Sequence, residues 1–82
     1  MNLDQALEKI HWLGHDAFRV DGTKTIYFDP YEISGGPSAD VIFISHEHFD
    51  HCSPADVAKI QKPDTVIVTD AASAKKLSGR VR

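Results

Sequence analysis

An apolar run and a polar cluster adjoin in the segment Val41-Ile42-Phe43-Ile44-Ser45-His46-Glu47-His48-Phe49-Asp50-His51. The first five residues predict a buried strand, because β-branched and aromatic side chains favour the pleated conformation. Three imidazoles and a carboxylate follow at His46, His48, Asp50 and His51. Alternate side chains share a face in an extended segment, so the first two histidines can converge on one ion. Asp50 and His51 are then placed to hold a second ion.

The ligand types indicate which metal this segment would bind. Imidazole and carboxylate without thiolate suit zinc, with iron, manganese or nickel as alternatives. Calcium and magnesium prefer shells made entirely of oxygen. A solvated histidine-rich loop is the competing interpretation, since such tracts are only compositional hints. The preceding strand favours a metal site, because open α/β folds bind ligands at the carboxyl ends of their strands.

The segment also carries a family resemblance. His-x-His-x-Asp-His after a hydrophobic strand resembles the signature of the metallo-β-lactamase superfamily. The upstream segments Ile10–Phe18 and Ile26–Tyr31 are similar to the branch that includes L-ascorbate-6-phosphate lactonase and many uncharacterised metal-dependent hydrolases. The similarity extends from Ile10 to Thr69. It implies a hydrolase that uses a metal-activated water on a small ester, lactone or phosphate compound, with one or two zinc ions.

The same resemblance assigns roles to the motif residues. His46 and His48 are implied as ligands of a first metal, and Asp50 and His51 as ligands of a second. Asp50 is also the expected catalytic carboxylate, because in this family it helps to position the attacking water. The family's second half supplies two further histidines and a bridging aspartate. This chain has no histidine after His51, and its later aspartates are Asp56, Asp64 and Asp70.

The resemblance therefore implies only the N-terminal half of an αββα sandwich, with residues 1–82 as a single domain. The expected fold is α/β (α+β), a mixed sheet with two helices after the metal motif. Such a half would expose an apolar sheet face, and exposed faces of this kind mark interfaces. We expect a homo-oligomer or pairing with a second half-domain.

Local patterns predict the individual elements. The expected strands are Lys9–Leu13, Ala17–Val20, Lys24–Phe28, Val41–Ser45 and Thr65–Thr69. The expected helices are a short one within Asn2–Glu8, then Pro54–Gln61 and Ala71–Leu77, with Gly79 ending the last. Asp21-Gly22 is a hairpin signal. Because a helix connects the fourth and fifth strands, they should be parallel.

Composition limits the possible partners and location. Nine basic and twelve acidic residues give a net charge of −3, without a basic run dense enough for nucleic acid, so a nuclease is disfavoured. The basic tail, with Arg80 and Arg82, suits a solvated helix end. The start of the chain lacks the pattern of a signal peptide, and no apolar run suits a membrane span. The single cysteine, Cys52, excludes an internal disulfide and fits a cytoplasmic protein. It is either a small buried side chain or a sulfur ligand.

Several other residues have less specific interpretations. His15 could line the pocket, reach a metal or be a structural histidine. Asp29 could orient a ligand imidazole or stabilise a turn. Glu47 is expected to be exposed and Phe49 to be packed. The other aromatic side chains are expected mostly in the core: Trp12, Phe18, Tyr27, Phe28 and Phe43.

Two function classes follow from these observations. One is a metal-dependent hydrolase, or its metal-bearing half, acting on a small-molecule substrate. The alternative is a non-catalytic metal-binding or assembly domain that retains the motif without the remaining ligands.

Overall fold

The computed structural model describes residues 3–82, apart from the side chain of Ala6. Asn2, where the first helix was expected to begin, lies outside the described residues. The elements in chain order are α1 (Leu3–Glu8), β1 (Ile10–Gly14), β2 (Ala17–Asp21), β3 (Thr25–Phe28), β4 (Val41–Phe43), α2 (Pro54–Ile60), β5 (Val66–Val68), α3 (Ala71–Ala74) and β6 (Arg80–Val81).

The strands form one mixed sheet whose spatial order follows the chain, from β1 to β6. β1, β2 and β3 are antiparallel, and the predicted hairpin lies between β2 and β3, where Gly22 N donates to Lys24 O at 3.1 Å. β3, β4, β5 and β6 are parallel. The predicted parallel pairing of β4 with β5 is confirmed, and so are the mixed sheet and the two helices after the motif.

One face of the sheet carries the core. Tyr27, Ile42 and Ile67 are fully buried on three neighbouring strands. Tyr27 is paired with Ile42, and Ile42 with Ile67. Val57 and Ile60 from α2 belong to the same buried cluster. This helix therefore closes one side of the sheet.

The opposite face of the sheet is apolar but exposed. A row of five side chains in register crosses β1 to β5: Trp12, Phe18, Phe28, Phe43 and Val68. Their exposed fractions are 69%, 39%, 39%, 37% and 38% respectively. The prediction that the aromatic residues mostly fill the core is therefore wrong except at Tyr27, because only one face of the sheet has a helix over it.

The helix starts were predicted from their capping residues. The Ser53 side chain caps α2 by accepting from Asp56 N, with Pro54 at the first position. Asp70 caps α3 by accepting from Ser73 N at 2.9 Å. Both caps are confirmed, and they fix where the chain turns after the ligand loop and after β5.

The end of the chain differs from the prediction. α3 stops at Ala74, three residues before the expected Leu77, and Arg80 lies in β6 rather than at a helix end. Gly79 has a φ of +97°, in the left-handed region that favours glycine, and turns the chain into β6 instead of ending α3. Within residues 3–82, no helix has the length and apolar character needed to cross a membrane.

Candidate metal centre

The predicted ligands lie in the loop that follows β4. The strand ends at Phe43, before the expected Ser45, although Ile44 N still donates to Val68 O at 3.0 Å. His51 N and Cys52 N both donate to His48 O, at 2.9 and 2.8 Å, so the loop closes as a tight turn. This places the ligand loop at the carboxyl ends of the parallel strands.

The turn brings the three imidazoles of the motif together. The ring centroids of His46 and His48 are 4.6 Å apart, and those of His46 and His51 are 4.0 Å apart. Imidazole nitrogens near carboxylates, with no thiolate among them, match the donors that zinc and other late divalent metals use. The residues present therefore fit a metal ion.

Asp29 holds one of these histidines in place. It is buried at the end of β3, with 9% of its surface exposed and a φ of +44°. Its Oδ1 accepts from Ser45 N at 2.7 Å and its Oδ2 from Ser45 Oγ at 2.8 Å. His51 Nδ1 lies 2.9 Å from Oδ2, and because an ionised carboxylate only accepts, Nδ1 must donate. Of the two roles that the sequence left open for Asp29, the orienting one fits this geometry. It directs His51 Nε2 away from Asp29.

The charge state of His51 follows from these contacts. The hydrogen bond to Asp29 raises the pKa of His51 above its ordinary value, against the opposing effect of burial, and the nearby carboxylates of Asp29, Asp50 and Asp16 add to the rise. In the metal-free chain the imidazole therefore stays protonated to a higher pH than a free histidine. A metal ion must displace that proton to bind.

The carboxylates around His51 include one that the motif does not contain. His51 Nε2 lies 3.6 Å from Asp50 Oδ2 and 3.3 Å from Asp16 Oδ2. Within residues 3–82, the group of three ligand atoms close enough to share an ion comes from Asp16, Asp50 and His51. His46 and His48 lie beside this group rather than in it. No sequence signal marks Asp16, since only the position of the β1–β2 turn at this edge of the sheet brings it to the motif.

Aromatic and polar side chains border the ligand loop. His15 Nε2 lies 3.3 Å from Glu32 Oε2, and the His15 and Tyr31 rings are 4.9 Å apart. Phe49 contacts Tyr31 edge to face, with ring centroids at 5.9 Å, and is 74% exposed, so its predicted packing is wrong. Glu47 is exposed as predicted. His15 therefore lies at the border of the site and outside the close group of ligand atoms.

Two clefts flank the loop. One, of roughly 390 Å³, is lined by Phe28, Asp29, Phe43, Ile44, Ser45, Val68, Thr69 and Asp70. The other, of roughly 500 Å³, is lined by Glu47, His48, Phe49, Asp50 and Lys76. Both volumes lie within the usual range for small-molecule sites.

Cys52 is buried and its Sγ lies 4.0 Å from Ser73 O. Of the two roles that the sequence left open for it, a buried side chain or a sulfur ligand, the buried one fits.

Comparisons with known proteins show which proteins this chain is similar to. The family model described as "Beta-lactamase superfamily domain" matches residues 9–80. A UPF0173 metal-dependent hydrolase of Pyrococcus abyssi is 36% identical, over 87% of this chain and 37% of that protein. One of Pyrococcus furiosus is 39% identical, over 66% of this chain and 27% of that protein. The crystal structure of a candidate metal-dependent hydrolase from Parabacteroides distasonis superposes with a TM-score of 0.79 at 34% identity, over 89% of this chain and 36% of its own. The chain thus spans about a third of the length of such relatives.

Proposed function

Because this chain belongs to the metallo-β-lactamase superfamily, we propose that it is the metal-bearing part of a hydrolase. The proposed ligands are His46 and His48 for one ion, and Asp50 and His51 for another. The observation that carries the proposal is the gathering of three imidazoles beside β4, one of them fixed by a buried carboxylate. The relatives of this chain are named metal-dependent hydrolases, and that name implies a metal cofactor.

Zinc is the metal we propose, in one or two ions, with iron or manganese as the alternatives. Such an ion supplies Lewis acidity, which polarises the substrate and makes a water molecule a better nucleophile near neutral pH. The donor set supports this choice, since all the proposed ligands offer nitrogen or oxygen atoms.

The chain's own residues have separate tasks in this proposal. Asp29 and Ser45 keep His51 Nε2 directed toward the site. Asp50, with its carboxylate 3.6 Å from that nitrogen, is proposed to position the attacking water. The cleft lined by His48 and Asp50 leaves room for a small ester, lactone or phosphate compound beside the loop.

A second candidate is a non-catalytic metal-binding or assembly domain. One observation favours it: within residues 3–82, the ligand atoms of His46 and His48 do not join those of Asp50 and His51 in one close group. A site whose ligands are not gathered in one group can bind an ion without turning over a substrate.

The exposed apolar row on the sheet supports a proposal about partners. We propose that a second half-domain or a second copy of the chain covers it, because sheets with one apolar face are stable when that face is buried. A net charge of −3 does not favour nucleic acid as a partner. The free thiol of Cys52 is consistent with the cytoplasmic location that we propose.

A hydrolysis assay separates the two candidates. The zinc-loaded chain is incubated with an aryl ester, a lactone and an aryl phosphodiester, alongside the variants His48→Ala and His11→Ala. His11 is the matched control, since it lies on β1 and pairs with Asp21 at 3.1 Å, outside the ligand loop. Turnover that His48→Ala abolishes and His11→Ala retains supports the hydrolase. Metal binding without turnover of any substrate supports the non-catalytic domain.

A further inference from the structure

Asp16 lies in the tight turn between β1 and β2, far in sequence from the motif. Two residues before it have left-handed backbones, Gly14 with a φ of +98° and His15 with a φ of +51°. A non-glycine residue with this conformation is uncommon and is often found at functional sites. The turn brings Asp16 Oδ2 to 3.3 Å from His51 Nε2.

His51 Nε2 faces two carboxylates. Because Nδ1 donates to Asp29, Nε2 of the neutral imidazole presents a lone pair. Two carboxylates face this nitrogen, Asp16 at 3.3 Å and Asp50 at 3.6 Å. An ion bound to this lone pair would therefore lie beside both carboxylates.

The spacing of the three ligand atoms suits a single ion. The ligand atoms of Asp16, Asp50 and His51 all lie within 4.8 Å of one another. Tetrahedral zinc with bonds of about 2.0–2.1 Å separates its ligand atoms by about 3.3 Å. A small contraction of exposed side chains is enough to reach that separation, since 66% of the Asp16 side chain is exposed to solvent.

We propose that Asp16 is a direct ligand of the second metal, which it holds together with Asp50 and His51. The inference rests on the proposed metal site and deepens it. Asp16 thereby adds a third ligand to the two that the motif provides for that ion.

Zinc affinity measured by competition with a chromophoric chelator tests this ligand. The wild-type chain is compared with Asp16→Asn, with His48→Ala and with the control Glu32→Gln. Glu32 is matched to Asp16 because it is an exposed acid that pairs with a histidine at the same 3.3 Å, outside the ligand group. We expect Asp16→Asn to weaken zinc binding at least about tenfold, since loss of an outer-sphere partner alone has that effect. Glu32→Gln should bind like the wild type.

The outcomes distinguish this inference from the proposed function. If Asp16→Asn binds zinc as tightly as the wild type while His48→Ala loses affinity, Asp16 is not a ligand but the metal site stands. If the wild-type chain binds no zinc, both are overturned.

Carbon-13 NMR of the wild-type chain provides a measurement that does not depend on how a variant folds. On zinc saturation the carboxyl carbon resonances of Asp16 and Asp50 should shift, and that of Glu32 should not. An unshifted Asp16 resonance in a zinc-loaded chain would overturn the assignment.

Discussion

At the scale of single residues, the ligand loop shows what a motif can and cannot predict. The spacing of His46, His48, Asp50 and His51 predicts ligands because a strand followed by a turn must place them at one edge of a sheet. The sequence left two roles open for Asp29, orienting a ligand imidazole or stabilising a turn. It could not decide between them, because the partner His51 lies twenty-two residues further along the chain. Asp16 was not predictable, because its approach to His51 depends on how the β1–β2 turn packs against a distant loop.

Asp29→Asn should weaken zinc binding by about 10–100-fold, the usual cost of losing a group that orients a ligand. The carboxylate accepts hydrogen bonds on both oxygens, from Ser45 and from His51, and an amide leaves only one acceptor. Chelator competition measures the change. Asp40→Asn is the control, since Asp40 accepts from Thr25 N and Lys62 Nζ, away from the loop. Equal zinc affinity in Asp29→Asn and the wild type would contradict the orienting role.

At the scale of elements, capping chemistry was predictable and the final strand was not. The sequence Ser53-Pro54-Ala55-Asp56 has an oxygen to cap a helix and a proline at its first position, and α2 begins there. β6 is only two residues long and is defined by its pairing with β5 rather than by a pattern of its own. Short strands of this kind depend on tertiary contacts.

Asp56 joins α2 to the loop beside the site. Its side chain accepts hydrogen bonds from the backbone N–H groups of Glu32 and Ile33, and from Ser53 Oγ and Lys59 Nζ. Asp56→Asn should lower the free energy of unfolding at pH 7 by about 1–3 kcal/mol, because the amide offers one acceptor oxygen where the carboxylate offers two. Urea unfolding followed by circular dichroism measures it. An unchanged midpoint would contradict this role.

The contribution of Asp56 should also depend on pH. Burial raises its pKa, but the hydrogen bonds from Ser53, Lys59 and the loop backbone outweigh this effect and leave the pKa below its ordinary value. A lowered pKa in the folded state means that the stabilisation is complete above about pH 4 and is lost as the pH falls below it. The difference in stability between wild type and Asp56→Asn should therefore shrink between pH 5 and about pH 2. A difference that grows on acidification would contradict this sign.

Gly79→Ala should destabilise the chain by about 1 kcal/mol or more, because a side chain is disfavoured at a φ of +97° and its Cβ would meet the side chain of Gln61. Gly22→Ala is the matched control, since a Cβ at Gly22 makes only an ordinary contact, 3.8 Å from Lys24 O. Thermal unfolding of both variants checks the comparison. Equal melting temperatures for the two variants would contradict the role of Gly79 in directing β6.

At the scale of the whole molecule, the sheet has one covered face and one exposed face. The sequence could not show which face the helices cover, because apolar residues such as Ile26, Tyr27 and Phe28 follow one another along the strand. Tyr27 is buried and Phe28 is 39% exposed. A partner surface would remove this row of apolar side chains from water: Trp12, Phe18, Phe28, Phe43 and Val68.

The exposed row should make the isolated chain self-associate, and Phe43→Lys should weaken that association. Phe43 lies within the row and stacks on Phe28 with ring centroids at 5.3 Å. Light scattering across a concentration series measures the mass of each species. Phe49→Lys is the control, because Phe49 is exposed but lies in the loop rather than on the sheet. A wild-type chain that stays monomeric at all concentrations would contradict self-association through the row.

The central claim is that the loop after β4 holds metal, and elemental analysis tests it most directly. The protein is purified without added metal and without an affinity tag that binds metal, and its metal content per chain is measured beside that of His48→Ala. We expect about one or two equivalents of zinc, iron or manganese in the wild type, and less in the variant. Essentially no metal in the wild type, even after dialysis against zinc, would contradict the account.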